Sequence, residues 1–320
     1  MIPRQLGRPL AAFAPLRYTG PSCVTLPSAS FVSPRRSLHK LPILDQDNMF
    51  RRHGIANFIS PEAYDMAWTQ YQQQTLNKLN DLLADDPLEH IKIRSVILQT
   101  AHDPMAAHIF NHASMAWNNH AFFSTLSSDP KKLEAIPRLQ ESLEVTFGSI
   151  ENLKMTMLDT AAAMFGPGFV WLIWSRDLEP PTSRIRKGSW RILTTYIAGT
   201  PFAEAGYRQQ GLDTNTNNST TMKNYMNSPP INNVGAFGAF SRSGKEQASL
   251  PPGGANVLPV LCVNTWEHVW LRDYGMDGKR AYLQEWWNAI DWHAVDNNTP
   301  PEAKSALQFI RGDDKSPLGN

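Results

Sequence analysis

The chain has 320 residues, 42% of them hydrophobic, and a formal net charge of +1, enough for one large domain or two small ones around a sizeable core. No run of about 18 apolar residues occurs, so nothing reads as a membrane-spanning helix. Its two cysteines, Cys23 and Cys262, lie far apart and supply neither a disulfide framework nor a paired-thiolate metal motif.

The near-zero charge conceals an asymmetry. Residues 1–44 carry Arg4, Arg8, Arg17, Arg35, Arg36 and Lys40, with no Asp or Glu, among many Ser, Ala, Leu and Pro residues. An acid-free, Arg- and Ser-rich start has the character of a mitochondrial transit peptide, expected here over residues 1–40 with cleavage near Arg36 to Lys40. The other reading is a basic arm that stays attached. Without those six cations the formal charge of +1 becomes −5. A mildly acidic body is a poor general polyanion binder. Contacts with protein are therefore expected to outweigh those with RNA, limited to local basic patches such as Arg184-Ile185-Arg186-Lys187.

Residues 59–85 read as a helix. Ser60 is a natural N-cap, Pro61 suits the first helical position, and Glu62 suits the positive end. Ala63, Met66, Ala67, Leu76 and Leu79 supply an apolar stripe at helical spacing, interrupted by the polar, uncharged Tyr71-Gln72-Gln73-Gln74. A second helical stretch covers 88–126, with a break or restart at Asp103-Pro104. Its half from Ala106 to Leu126 is dense in Phe, Trp, Met, His and Asn, which implies burial.

Residues 127–136 form a polar, Pro-bearing link between a helical part, 41–130, and a second part, 137–298. Residues 137–165 read as one helix ending at Gly166-Pro167-Gly168. Phe169 to Trp174, aromatic and β-branched, is a buried strand candidate. Trp190 to Ile197 and Val257 to Val263 are two more, and 279–293 a Trp-rich closing helix. Residues 206–256 are dominated by Asn, Thr, Ser, Gly, Pro and Gln and read as an insertion, disordered or draped on a partner. The tail 299–320 is polar. Helices followed by helix, three strands and helix make an α+β chain.

Several motifs then carry a resemblance. Asn264-Thr265-Trp266-Glu267-His268-Val269-Trp270 resembles the D-x-W-E-H-A-Y signature of the manganese/iron superoxide dismutases. Gly166-Pro167-Gly168-Phe169-Val170-Trp171-Leu172 is similar to their G-S-G-W-x-W-L turn and strand. Ala198-Gly199-Thr200-Pro201 is similar to their A-G-T-P. Phe110-Asn111 with Asn119-His120-Ala121-Phe122-Phe123 resembles F-N…N-H-x-x-F-W with a residue or two of extra spacing. Spanning roughly 55–202 and 256–293, the resemblance implies an N-terminal helical hairpin and a C-terminal α/β domain with a three-stranded antiparallel sheet, the metal lying between them.

The family binds its metal through three imidazoles and a carboxylate. On this sequence those positions register as Ala67, His120, Asn264 and His268. Two imidazoles would remain, and the anionic ligand that helps set the redox potential would be missing. The family's second His and Tyr on the first helix register as Tyr71 and Thr75, and a Thr hydroxyl is a poor replacement for a phenol in proton relay. No metal, cofactor or catalytic residue is therefore expected. The i, i+4 pair His108 and His112, near His102, lacks the Glu of a zinc-protease motif.

In the family the Glu of the Trp-Glu-His motif bonds the metal-binding His of the opposite subunit. Glu267 and His268 are accordingly expected at a dimer interface, against the plainer reading of a surface pair. Trp266, Trp270, Trp286, Trp287 and Trp292 are expected to serve as core or as an aromatic pairing face.

A mitochondrial leader, the dismutase scaffold, a dismantled site and polar insertions together resemble the dismutase-like proteins of the fungal mitochondrial small ribosomal subunit. These occur as two related chains that pair. The resemblance implies a structural ribosomal subunit in the mitochondrial matrix, partnered by small-subunit proteins and a dismutase-like paralogue. The competing readings are an active manganese or iron dismutase and a free mitochondrial binding protein.

Overall fold

A computed structural model describes residues 39–176, 188–206 and 256–304, all of which fall within one compact unit. The leader, the Arg184–Lys187 patch, the bulk of the insertion and most of the tail lie outside the described residues.

Helix α1 (Asp47–His53) precedes a long helical rod in three parts. Its first turn, α2 (Pro61–Tyr64), starts at Ser60, whose hydroxyl accepts from Ala63 N as expected of an N-cap. Asp65–Gln70 is a π-helical segment, and α3 (Tyr71–Leu82) completes the rod. The π segment widens the helix around Ala67, and its extra residue offsets the nine-residue step from Ala67 to Leu76, which at about 100° per residue would put the two on opposite faces. Ala63, Ala67, Leu76 and Leu79 are buried as the stripe predicts, while Met66 is only half-buried.

The second helical stretch divides at the expected place. Helix α4 (Ile93–Thr100) ends before Asp103, whose carboxylate accepts from Met105 N, and α5 (Ala107–Phe123) follows. The single helix expected over 137–165 is two, α6 (Pro137–Phe147) and α7 (Ile150–Ala163). Gly148 takes φ 82°, a left-handed stop that favours glycine, and Ser149 caps the new start through Asn152 N.

Three strands follow, β1 (Gly168–Arg176), β2 (Gly188–Tyr196) and β3 (Asn256–Asn264), in the order β2-β1-β3 with both pairings antiparallel. Central β1 is buried along nearly its whole length, which explains its unbroken apolar run. The register jumps between Leu172↔Leu261 and Ile173↔Pro259, so Val260 bulges out of β3, and its carbonyl accepts from Asn298 Nδ2 at 3.3 Å. Gly168 is required where it stands, since a Cβ there would meet Thr195 O at 2.3 Å.

Past the sheet come α8 (Glu267–Tyr274), α9 (Lys279–Ala289) and α10 (Trp292–Asn298). The expected closing helix is thus interrupted before Asp291, whose carboxylate caps the last piece through His293 N. One hydrophobic core joins the helical part to the sheet, with Trp68, Trp171, Trp174 and Trp286 fully buried. The chain has the manganese/iron superoxide dismutase-like α+β fold, with its N-terminal helices packed on a three-stranded antiparallel sheet and the helices around it.

Candidate functional site

Three elements bring the family's ligand positions together: the π segment carries Ala67, α5 carries Asn119, and β3 ends at Asn264. All three residues are completely buried, as is Gln72 at the start of α3. A continuous chain of hydrogen bonds links them. Gln72 Nε2 donates to Ala116 O at 2.8 Å. Asn119 Nδ2 donates to Gln72 Oε1 at 3.0 Å and to Ala67 O at 3.1 Å. Asn264 Nδ2 makes a longer contact, 3.4 Å, to Asn119 Oδ1. Asn264 Oδ1 accepts from Trp266 N at 2.9 Å, and Asn264 O accepts from the Tyr282 hydroxyl at 2.7 Å.

This corrects the registration of His120. The residue that meets Ala67 and Asn264 is Asn119, and His120 faces elsewhere. At about 100° per residue, adjacent side chains of a helix cannot share one face. The His120 ring lies 5.9 Å from that of Trp68 and borders a separate cavity of about 220 Å³ with Trp117, Trp171 and Cys262. Burial holds its pKa below the ordinary imidazole value, and no described residue bonds its ring. The signal was available: aligning Asn118-Asn119-His120-Ala121-Phe122-Phe123 with N-H-x-x-F-W removes the extra spacing. Gln72, read only as part of a polar interruption, was also missed.

His268 is the one imidazole at the site. It stacks on Tyr71 with ring centroids 4.1 Å apart and planes inclined by 21°. Burial pushes its pKa down to about 4, so the ring is neutral at physiological pH. Its Nε2 is buried without a hydrogen-bond partner among the described residues. Burial also raises the Tyr71 phenol. Thr75 spends its hydroxyl on Tyr71 O at 2.8 Å, within its own helix. Glu267 is exposed one residue away from His268. Beside this end of the molecule a cleft of about 310 Å³ is lined by Tyr71, Thr75, Lys78, His112, Ile197 and Trp266.

A redox-cycling metal does not fit this set of groups. A methyl group, two amides and one imidazole stand where three imidazoles and a carboxylate are needed, and no anion balances a trivalent ion. The amide atoms are also engaged with one another. Among the described residues no group of three or more His, Cys, Asp and Glu side chains is placed to hold an ion. His112 Nδ1 donates to His108 O at 2.8 Å and His102 Nε2 donates to Glu204 O at 3.0 Å, so one nitrogen of each ring is bonded to backbone.

Similarity to known proteins matches this geometry. The C-terminal domain of iron/manganese superoxide dismutases matches residues 135–191 and 240–298. The small ribosomal subunit protein mS43 of Schizosaccharomyces pombe is 28% identical over 265 residues, 81% of this chain and 83% of that protein. The small ribosomal subunit protein mS42 of the same organism is 28% identical over 63% of this chain and 71% of its own length. An iron superoxide dismutase of Babesia bovis is 24% identical over 75% of this chain and 87% of its own.

Proposed function

We propose that this chain is a structural constituent of the mitochondrial small ribosomal subunit, a dismutase-fold protein without dismutase activity. The observation that carries the reading is the site itself. Hydrogen-bonded amides fill two of the four ligand positions and a methyl group a third, in a chain similar along most of its length to two small ribosomal subunit proteins. The similarity to iron dismutases accounts for the scaffold, while His268 is kept and the other three ligand residues are not.

On this reading the protein works in the matrix, among small-subunit proteins, and pairs with a related dismutase-like chain through the turn bearing Glu267 and His268. Exposed Glu267 supports such an interface. So do the exposed apolar side chains Tyr196 and Ile197 at the same end of the molecule, since clustered exposed apolar surface marks contact sites. The acidic body favours protein neighbours and leaves RNA a minor role.

Sedimentation of tagged protein from mitochondrial lysate is the test. Co-migration with the small ribosomal subunit in moderate salt is the expected result, and migration as a free, small dimer would remove the ribosomal reading. Glu267→Ala is expected to reduce recovery of the related chain several-fold. Unchanged recovery would rule out the interface.

A further inference from the structure

The buried amides have a direction. Ala116 O, at one end, can only accept, so Gln72 must present its NH₂ there and its Oε1 to Asn119. Asn119 must then use its own NH₂ on Gln72 and Ala67, leaving only its oxygen for residue 264. At the other end Trp266 N–H can only donate, so residue 264 must also present an acceptor. An amide donates to Asn119 and accepts from Trp266 at once through two separate atoms, where a Ser hydroxyl has a single atom too short to reach both. A carboxylate offers no donor, and in this dry site it would be an uncompensated charge. The network itself assigns the orientation of all three amides.

We propose that Asn264 and Asn119 are positioning residues that do mechanically what a metal does in an active dismutase. The amide nitrogen of Asn264 latches β3 to the helical part through Asn119. Its amide oxygen, bonded two residues on in an Asx turn, sets the start of α8 and so presents Glu267. Folding and pairing are thereby independent of manganese or iron supply. The part concerning Glu267 rests on the pairing reading above, whereas the latch does not.

The two ends of the Asn264 amide can be separated by experiment on full-length tagged protein purified from mitochondria, following thermal melting and recovery of the related chain. Asn264→Ser keeps an oxygen able to accept from Trp266 N–H but cannot reach Asn119. It is expected to lower the melting midpoint by several degrees while most of the related chain is still recovered. Asn119→Ala should behave in the same way, and Gln72→Met more mildly should the stronger variants fail to fold. Asn264→Ala should lose both midpoint and recovery, and dialysis against a chelator should change neither.

The latch is overturned if Asn119→Ala, Asn264→Ser and Gln72→Met all melt with the parent. It is also overturned if chelation lowers the midpoint and added manganese or iron restores it. The turn-setting role is overturned if Asn264→Ala recovers the related chain in full. If the parent recovers no related chain, or Glu267→Ala recovers as much as the parent, the pairing reading fails and the melting series alone decides the latch.

Discussion

Replacing Asn264 by Asp would put an acceptor against Asn119 Oδ1 and a carboxylate where exposure to water is zero. Leaving a buried charge unpaired costs about 3–5 kcal/mol, so Asn264→Asp is expected to be severely destabilising at neutral pH. Its folded carboxyl would be held above the unfolded value of about 3.9. The unfolded chain therefore ionises first, and the variant loses stability as pH rises from about 4. Urea unfolding across pH checks this, and a flat difference from the parent would count against a buried charge. His268 works in the opposite sense. Its folded pKa of about 4, held down by burial, lies below the ordinary imidazole value of about 6.5, so the unfolded state binds the proton first. Its contribution is complete above about pH 6.5 and is lost as pH falls toward 4. Exchanging His268 for Gln should flatten that acid limb, and an unaltered limb would assign it to other groups.

Among the elements, the joint between α2 and α8 hangs on Ser60. Its hydroxyl donates to Asp273 Oδ1 at 2.7 Å while accepting from Ala63 N, and its own N–H donates to Asp273 Oδ2 at 2.7 Å. One side chain thus caps the rod that carries Ala67 and ties it to the helix that begins at Glu267. Ser60→Ala is expected to cost about 1–2 kcal/mol, typical of a lost cap, measured as a shift in urea midpoint at constant slope. Element starts were readable in sequence where a local device makes them, as at Ser60 and Asp103. The stops at Gly148 and before Asp291 had local signals too, but the helical apolar spacing continues across both. The π segment had one in the nine-residue step from Ala67 to Leu76, which a regular helix would carry to the opposite face and which the extra residue brings back toward Ala63 and Ala67.

At the scale of the whole molecule, the helical part and the sheet share one core rather than meeting across a metal. Trp68 from the rod and Phe122 and Phe123 from α5 lie in the same buried cluster as Trp171 of β1 and Tyr282 of α9. Burying an aromatic side chain of this kind contributes enough that truncation to Ala costs about 3–5 kcal/mol. Purified protein is accordingly expected to contain under about a tenth of a manganese or iron atom per chain, since losing even outer partners of a metal lowers affinity about 10- to 100-fold. Stoichiometric metal would overturn the reading of a non-enzymatic scaffold.

The residues alone determined the α+β order, the strands and the loss of the carboxylate at Asn264, because hydrophobic period, caps and short motifs act between near neighbours in the chain. The tertiary structure decided that Gln72 belongs in the site, and it chose between the two motif alignments by turning Asn119 rather than His120 into it. Those choices depend on helix rotation and on the direction of a hydrogen-bond chain between Ala116 O and Trp266 N. Its two ends are 150 residues apart in sequence, and its members meet only when α3, α5 and β3 are packed together.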